Sequence, residues 1–445
     1  MSGANTMSIW RASVDVARFP FEVLALCLPA LINRGPIPFA DTRAYYLGGR
    51  AALDKIHAVL LHEANDVDAT VNKARGVRSA FYSLFTYLLS NAGSIWLVIL
   101  VQATIVALLL RLSFALLCHR EPRWHATLFI VIVSLTTTAP WAVSYLMPDV
   151  FTGVMILCIV ILMLFWDRLT RAMRAALIIG AAASMVMHLT NLPIGIGILV
   201  VGYLLRRQWR PALSVSGALG FGVIAMLAVG VIGFKQWTLA PQAPPFLLAR
   251  SIVDGPGKLY LQEHCPRIGL AMCRHLDRLN PSSTDDFIWH ENGVYSTVSP
   301  EEKAQLRKED WVFIAAALDH PWMQAKASIY NMTTQLGWFT LDDYHIPSYT
   351  TYTATDMTNS FDVAHDFRLV GWDIVIYAMV VVSIVYGILR FRTFSRDERD
   401  FFLLVVAAIL LNSLAGTFSE PAPRYETRVI WLLPMAFLAN RRLWP

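Results

Sequence analysis

Long apolar runs separated by short, arginine-bearing polar stretches dominate the chain. Runs suited to crossing about 30 Å of hydrocarbon, roughly 20 residues each, fall near 94–117, 126–147, 150–166, 175–190, 192–205, 212–234, 369–389, 400–416 and 429–440. Several are short and depend on flanking residues. A weaker run at 16–33 contains Arg18 and Glu22. It is counted as a first span and not as a cleaved signal peptide, because Pro20, Glu22 and Pro29 interrupt it. The pattern predicts an all-α integral membrane protein with about ten transmembrane helices. After the first run, Pro36 and Pro38 fix an extended lead-in. Tyr45, Tyr46, Ala52, Leu53, Ile56, Val59 and Leu60 then recur at helical spacing. Interfacial helices are therefore expected at 43–63 and 77–91. Residues 235–368 have the composition of a soluble segment, and their length suffices for a modest core. The organisation expected is an N-terminal membrane domain, 1–234, with a first external loop at 35–93, then a mostly helical external domain, 235–368, then C-terminal transmembrane helices, 369–445.

Arginines fix the orientation. The clusters Arg11/Arg18, Arg120/Arg123, Arg168/Arg171/Arg174, Arg206/Arg207/Arg210, Arg390/Arg392/Arg396/Arg399 and Arg441/Arg442 all land on one face if there are ten spans. The positive-inside bias makes that face cytoplasmic. The 35–93 segment, the 235–368 domain and the 417–428 turn then lie outside. Hydrophobic residues make up 56% of the chain and charged residues 16%, which supports the membrane setting. The formal net charge of +5 follows from topology and gives no reason to expect nucleic acid. The chain shows no internal repeat and no Gly-rich phosphate loop.

Of five cysteines, Cys27, Cys118 and Cys158 fall in or at the ends of runs, where a free thiol acts as a small hydrophobe. Cys265 and Cys273 share the external segment, and an oxidising compartment favours a disulfide between them. Free thiols, or a zinc site with His264 and His275, are the alternatives.

Candidate chemistry collects on the external face, and each residue has a structural alternative. Asp41 can act as a base or can cap the helix that follows it. Asp149, after Pro148, has the same two readings, with the helix dipole favouring a cap. His188 and Asn191 either line a cavity or satisfy a helix break. Arg424 and Arg428 lie one helical turn apart, with Tyr425 between them. That spacing suits a bidentate phosphate clamp, and an ion pair with Glu420 or Glu426 is the alternative. Arg250 can reach a lipid phosphate, with Arg78, Arg43 and Lys258 as weaker versions of the same argument. The pairs Asp285-Asp286 and Asp342-Asp343 are read as solvated surface acids.

The order of Asp41, a Tyr-rich amphipathic helix, Arg75-Gly-Val-Arg-Ser-Ala-Phe-Tyr82, Pro148-Asp149 and Pro423-Arg-Tyr425 resembles the GT-C class of membrane glycosyltransferases. In layout the chain is similar to bacterial aminoarabinose and protein mannosyl transferases. The resemblance implies transfer of a sugar from a polyprenyl-phosphate donor to a lipid or glycan acceptor, on the periplasmic side of a bacterial inner membrane. Asp41 would be the base, Arg424 and Arg250 the phosphate clamp, and a groove beside the interfacial helices would hold the isoprenoid tail. Many members carry paired acids in the first external loop, whereas Thr42 and Arg43 follow Asp41 here. That departure speaks against a metal-dependent mechanism, and neither metal nor cofactor is expected. Two other functions fit the same sequence. A polysaccharide polymerase or ligase need not depend on an acid in the first external loop. A lipid or glycan transporter (flippase) calls for ionisable groups at mid-membrane depth and matched discontinuous helices.

Overall fold

A computed structural model describes residues 17–61, 78–118, 124–344 and 370–444. Arg11, Arg75, Arg120, Arg123 and the 368/369 domain boundary lie outside these residues, as do the distal ends of the expected 43–63 and 77–91 helices. The described residues form helices and no strand; one isolated bridge joins Ile37 to Tyr145. The all-α class thus holds.

The expected ten spans need correction at the level of single helices. Among the described residues, four helices are long and apolar enough to cross a bilayer: Trp96–Cys118, Val150–Arg168, Trp209–Phe234 and Gly371–Thr393. Trp124–Thr136 and Asn191–Arg206 are apolar but shorter. Three other expected runs are broken, because proline lacks the N–H that a helix interior needs. Pro29 follows the break between Phe19–Leu26 and Leu28–Ile32. Pro140 opens Ala139–Ser144 after Trp124–Thr136, and Pro434 lies just past the break between Pro423–Ile430 and Leu432–Leu438.

Val150–Phe165 is the central helix, buried on every side, as an all-round apolar sequence requires. Helices Arg171–Met187, Asn191–Arg206, Trp96–Cys118 and Arg396–Ala415 pack around it. Peripheral helices instead present Leu213, Phe221, Ile224, Ile374, Ile388 and Leu389 outward. Between the first segment and Trp96–Cys118, Glu22 is fully buried and takes Arg111 Nε and Nη2 at 2.5 Å each, with Thr127 Oγ1 adding a third bond at 2.5 Å. A buried carboxylate persists only with its charge matched and its lone pairs used in this way.

Arginine positions 168, 206 and 396 do share one face. Asp397 receives Arg168 at 2.5 Å and Arg206 at 2.7 Å, while Asp400 receives Arg206 at 2.8 Å and Arg396 at 3.8 Å. The Ser395–Glu398 capping box fixes the start of Arg396–Ala415, with Asp397 in its first turn and Asp400 one residue beyond that turn.

On the opposite face, Thr42–Leu61 packs against Ala80–Asn91 as a helical hairpin. Tyr45 meets Tyr82 edge-on at 4.9 Å, and Tyr46 meets Tyr87 at 5.1 Å. Gly49 permits the crossing, since a Cβ there would collide with the Ser83 carbonyl and Tyr87. The segment after Trp209–Phe234 has a core of its own, built from residues such as Leu248, Leu261, Phe287 and Leu306. There Cys265 and Cys273 form the expected disulfide, with Cα atoms 5.3 Å apart. His264 turns to Asp319 at 3.4 Å and His275 to Glu302 at 3.0 Å, so the zinc reading, which needed both sulfurs, falls away.

Candidate active site

Two breaks in the helical bundle bring the key residues together. The Pro-rich segment before Asp41 docks on the break before Asp149: Ile37 N donates to the Ser144 carbonyl at 2.8 Å, and Leu146 N to the Ile37 carbonyl at 2.9 Å. Thr42 locks the join by accepting from Phe39 N at 2.8 Å and donating to the Leu146 carbonyl at 3.2 Å. With Thr42 serving the helix start, the Asp41 carboxylate takes the Arg78 guanidinium as an ion pair. Arg78 also stands 5.8 Å from the ring centre of Trp289 in the 246–344 segment.

The final broken helix supplies the arginines. Arg428 is 1% exposed. Its Nε and Nη2 donate to Asn412 Oδ1 at 3.0 and 2.8 Å, and Nη2 also reaches Thr190 Oγ1 at 3.1 Å. Its Nη1 faces Asp149 Oδ1 at 3.8 Å, an ion pair too long for a hydrogen bond. Neither of those two atoms has a hydrogen-bond partner among the described residues, and Arg424 Nη1 is in the same condition. Buried polar atoms left this way are rare and call for an explanation such as a bound ligand. The Arg424 guanidinium lies 4.3 Å from the Phe39 ring centre and 4.9 Å from that of Tyr425, and Nη2 donates to the Tyr425 hydroxyl at 3.0 Å. The alternative partners are occupied elsewhere: Glu426 accepts from Ser413 and Asn412, and Glu420 from Asp285 N.

Beside this cluster a cavity of about 890 Å³ runs between the helical hairpin, the C-terminal half of Trp209–Phe234 and the C-terminal end of Arg396–Ala415. Most of its wall is apolar, with Phe81, Leu84, Met226, Val229, Ile232 and Leu411 typical. Arg78, His188, Thr190, Asn412, Tyr425 and Arg428 supply polar groups. His188 Nδ1 accepts from Thr190 N at 3.3 Å and is 2.8 Å from Thr190 Oγ1. Nε2 therefore carries the ring proton and is a donor. Asn191 answers to its structural alternative, bridging Thr152 and the Ser184 carbonyl at 2.8 Å each.

Three expectations change. Arg250 is not a free clamp: its Nε donates to Asp254 Oδ1 at 2.9 Å, Asn331 completes that carboxylate at 3.0 Å, and Nη1 reaches the Ser419 carbonyl at 3.4 Å. It braces the 246–344 segment against the 417–422 turn. Asp343, read as solvated, accepts from Arg424 N at 3.0 Å. Asp285, although exposed, lies within electrostatic reach of Arg424, Asp41, Arg78 and Asp343. Desolvation by the surrounding protein raises its carboxyl above the usual range, Arg424 opposes the rise and Asp41 adds to it. Neither acid carries a periodic or spacing signal along the chain, because fold closure alone brings both to Arg424. Arg43 lies on the same hairpin, while Lys258 Nζ donates to Asn280 at 2.6 Å in the external segment.

No family model, curated protein or solved structure matches the chain.

Proposed function

We propose that this protein is a GT-C-type membrane glycosyltransferase of about ten spans, its shorter and proline-broken helices completing the count begun by the four long ones. It takes a sugar from a polyprenyl-phosphate donor on the non-cytoplasmic face, in the bacterial inner membrane that the resemblance implies, and passes it to a lipid or glycan acceptor. The observation that carries this reading is an 890 Å³ apolar cavity that also presents Arg428, Arg78 and the His188 donor. An isoprenoid tail suits the apolar wall, and a phosphate suits guanidinium nitrogens that have no hydrogen-bond partner among the described residues.

Chemically, an acceptor hydroxyl attacks the anomeric carbon while the bond from that carbon to the carrier phosphate breaks. Asp41 receives the hydroxyl proton, and the phosphate leaves with the bonding electrons. Arg428 and Arg424 stabilise the charge that builds on the departing oxygen. His188 contributes an Nε2 hydrogen bond, and Tyr425 holds Arg424 in place. Arg78 keeps the Asp41 carboxylate oriented.

Reconstituted protein supplied with radiolabelled polyprenyl-phosphate sugars is expected to release polyprenyl phosphate and form a new glycoside. Movement of intact donor between leaflets with no covalent product would instead identify a transporter. Transfer that survives removal of every external acid at the site would favour the polymerase or ligase reading.

A further inference from the structure

The external helix Pro321–Gly337 is built inside out for a helix in water. Its inward positions are polar: Gln324, Asn331 and Gln335 are buried, Gln335 completely. Asn331 and Gln335 are held by other parts of the protein, and Gln324 bonds within its own helix. Gln335 exchanges two hydrogen bonds of 3.0 Å with the Ala422 backbone, Asn331 holds Asp254 at 3.0 Å, and Gln324 donates to Ser328 at 3.2 Å. Its outward positions are Trp322, Met323, Ile329 and Tyr330, with Trp322 82% exposed and Tyr330 69%. A surface helix facing water has the reverse arrangement. Exposed Lys326 shares this face, and its long stem lets the ammonium reach a headgroup layer.

What covers that face follows from where the helix is tethered. Gln335 packs on Gly416 at the end of Arg396–Ala415. The Tyr377 hydroxyl, on the membrane-crossing helix Gly371–Thr393, donates to the Gly337 carbonyl at 2.9 Å. The C-terminal end of Pro321–Gly337 is thereby fixed against the C-terminal end of Arg396–Ala415 and the N-terminal part of Gly371–Thr393, a helix long and apolar enough to cross a bilayer. Tryptophan and tyrosine at that level are the residues that settle at a bilayer interface. In the preceding helix, Val312–Asp319, Ile314 and Leu318 are exposed one turn apart. Phe313 of that helix meets Phe418 at 5.9 Å, and Phe418 also lines the large cavity.

We infer that Pro321–Gly337 lies on the outer-leaflet interface with its Trp322, Met323, Ile329 and Tyr330 face in lipid, making the external segment a monotopic membrane contact. The contact leads through Phe313 and Phe418 to the cavity, so a lipid entering there arrives along a surface already in the bilayer. The inference concerns the surface alone and stands whether or not the protein transfers sugar.

Single cysteines at Trp322→Cys and Ile329→Cys, with Glu301→Cys as a water-exposed reference, are labelled with nitroxide in the full-length protein. The labelled protein is reconstituted in phosphatidylcholine–phosphatidylglycerol vesicles. Native Cys27, Cys118 and Cys158 are buried and Cys265–Cys273 is closed, so unsubstituted protein serves as the labelling control. Power saturation should show relaxation by oxygen, and loss of relaxation by a water-soluble nickel chelate, at 322 and 329, with the opposite at 301. Nickel access at 322 and 329 equal to that at 301 overturns the inference. So does exclusion of both reagents, which would mean that protein, a second copy or another chain, covers the face.

Discussion

Asp41→Asn is expected to lower sugar transfer by about 10²–10⁴-fold, the range that removal of a general base costs, while carrier binding stays within about twofold of the parent, since the phosphate contacts assigned here lie on other residues. Asparagine keeps the size of the side chain, and its Oδ1 can still accept from Arg78. The helix start survives, because Thr42 supplies the bonds to Phe39 and Leu146 that fix it. What the substitution removes is the capacity to take a proton. Initial rates and carrier affinity measured on the same preparation separate the two effects. Asp285→Asn and Asp343→Asn belong in the same series, because both acids stand with Asp41 around Arg424. Near-normal turnover in Asp41→Asn together with loss in Asp285→Asn would move the base to the external segment.

Arg428→Met is expected to be the most damaging single change to the fold. It strands the Asp149 carboxylate in a site where that residue is 1% exposed, and it leaves Asn412 and Thr190 without the guanidinium they hold. Breaking a buried pair from one side costs about 3–5 kcal/mol. Replacing both members, Arg428→Met with Asp149→Asn, removes the stranded charge and should recover much of that loss, a coupling of about 0.5–3 kcal/mol. Thermal denaturation in detergent reads this cycle. Carrier binding should stay lost in the double variant, because the phosphate contact is gone even where the fold is restored. Recovery of binding along with stability would make Arg428 a structural brace only.

Much of the frame was legible in the sequence. Tyr45 and Tyr46 announced the hairpin helix and now pack on Tyr82 and Tyr87. The arginines at 168, 206 and 396 announced a shared face, and Asp397 and Asp400 gather them there. Cys265 and Cys273 announced their bond. What hydropathy hid was helix continuity: Pro140 and Pro434 sit in runs whose mean apolarity barely registers one residue. It also hid long-range pairing. Glu22 reads as a defect in a weak span until Arg111 and Thr127 close on it. Arg250 reads as an external cation with a free head, yet Asp254, one turn further on, claims it. Asp285 and Asp343 look like ordinary surface acids because their partners, Arg424 and Asp41, are far away along the chain. The inside-out pattern of Pro321–Gly337 was present in the residues, but only burial tells which side faces the protein.

The central claim is that one lipid-linked phosphate occupies the gap at Arg428 and Arg424 with its tail in the cavity. A cryo-electron microscopy map of the protein in lipid nanodiscs with added polyprenyl phosphate tests it most directly. The account predicts a phosphate within hydrogen-bond reach of the Nη1 atoms of Arg428 and Arg424, and continuous tail density past Phe81, Met226 and Val229. A phosphate bound elsewhere, or a tail-free cavity opening into a continuous water path through the bundle, would contradict it.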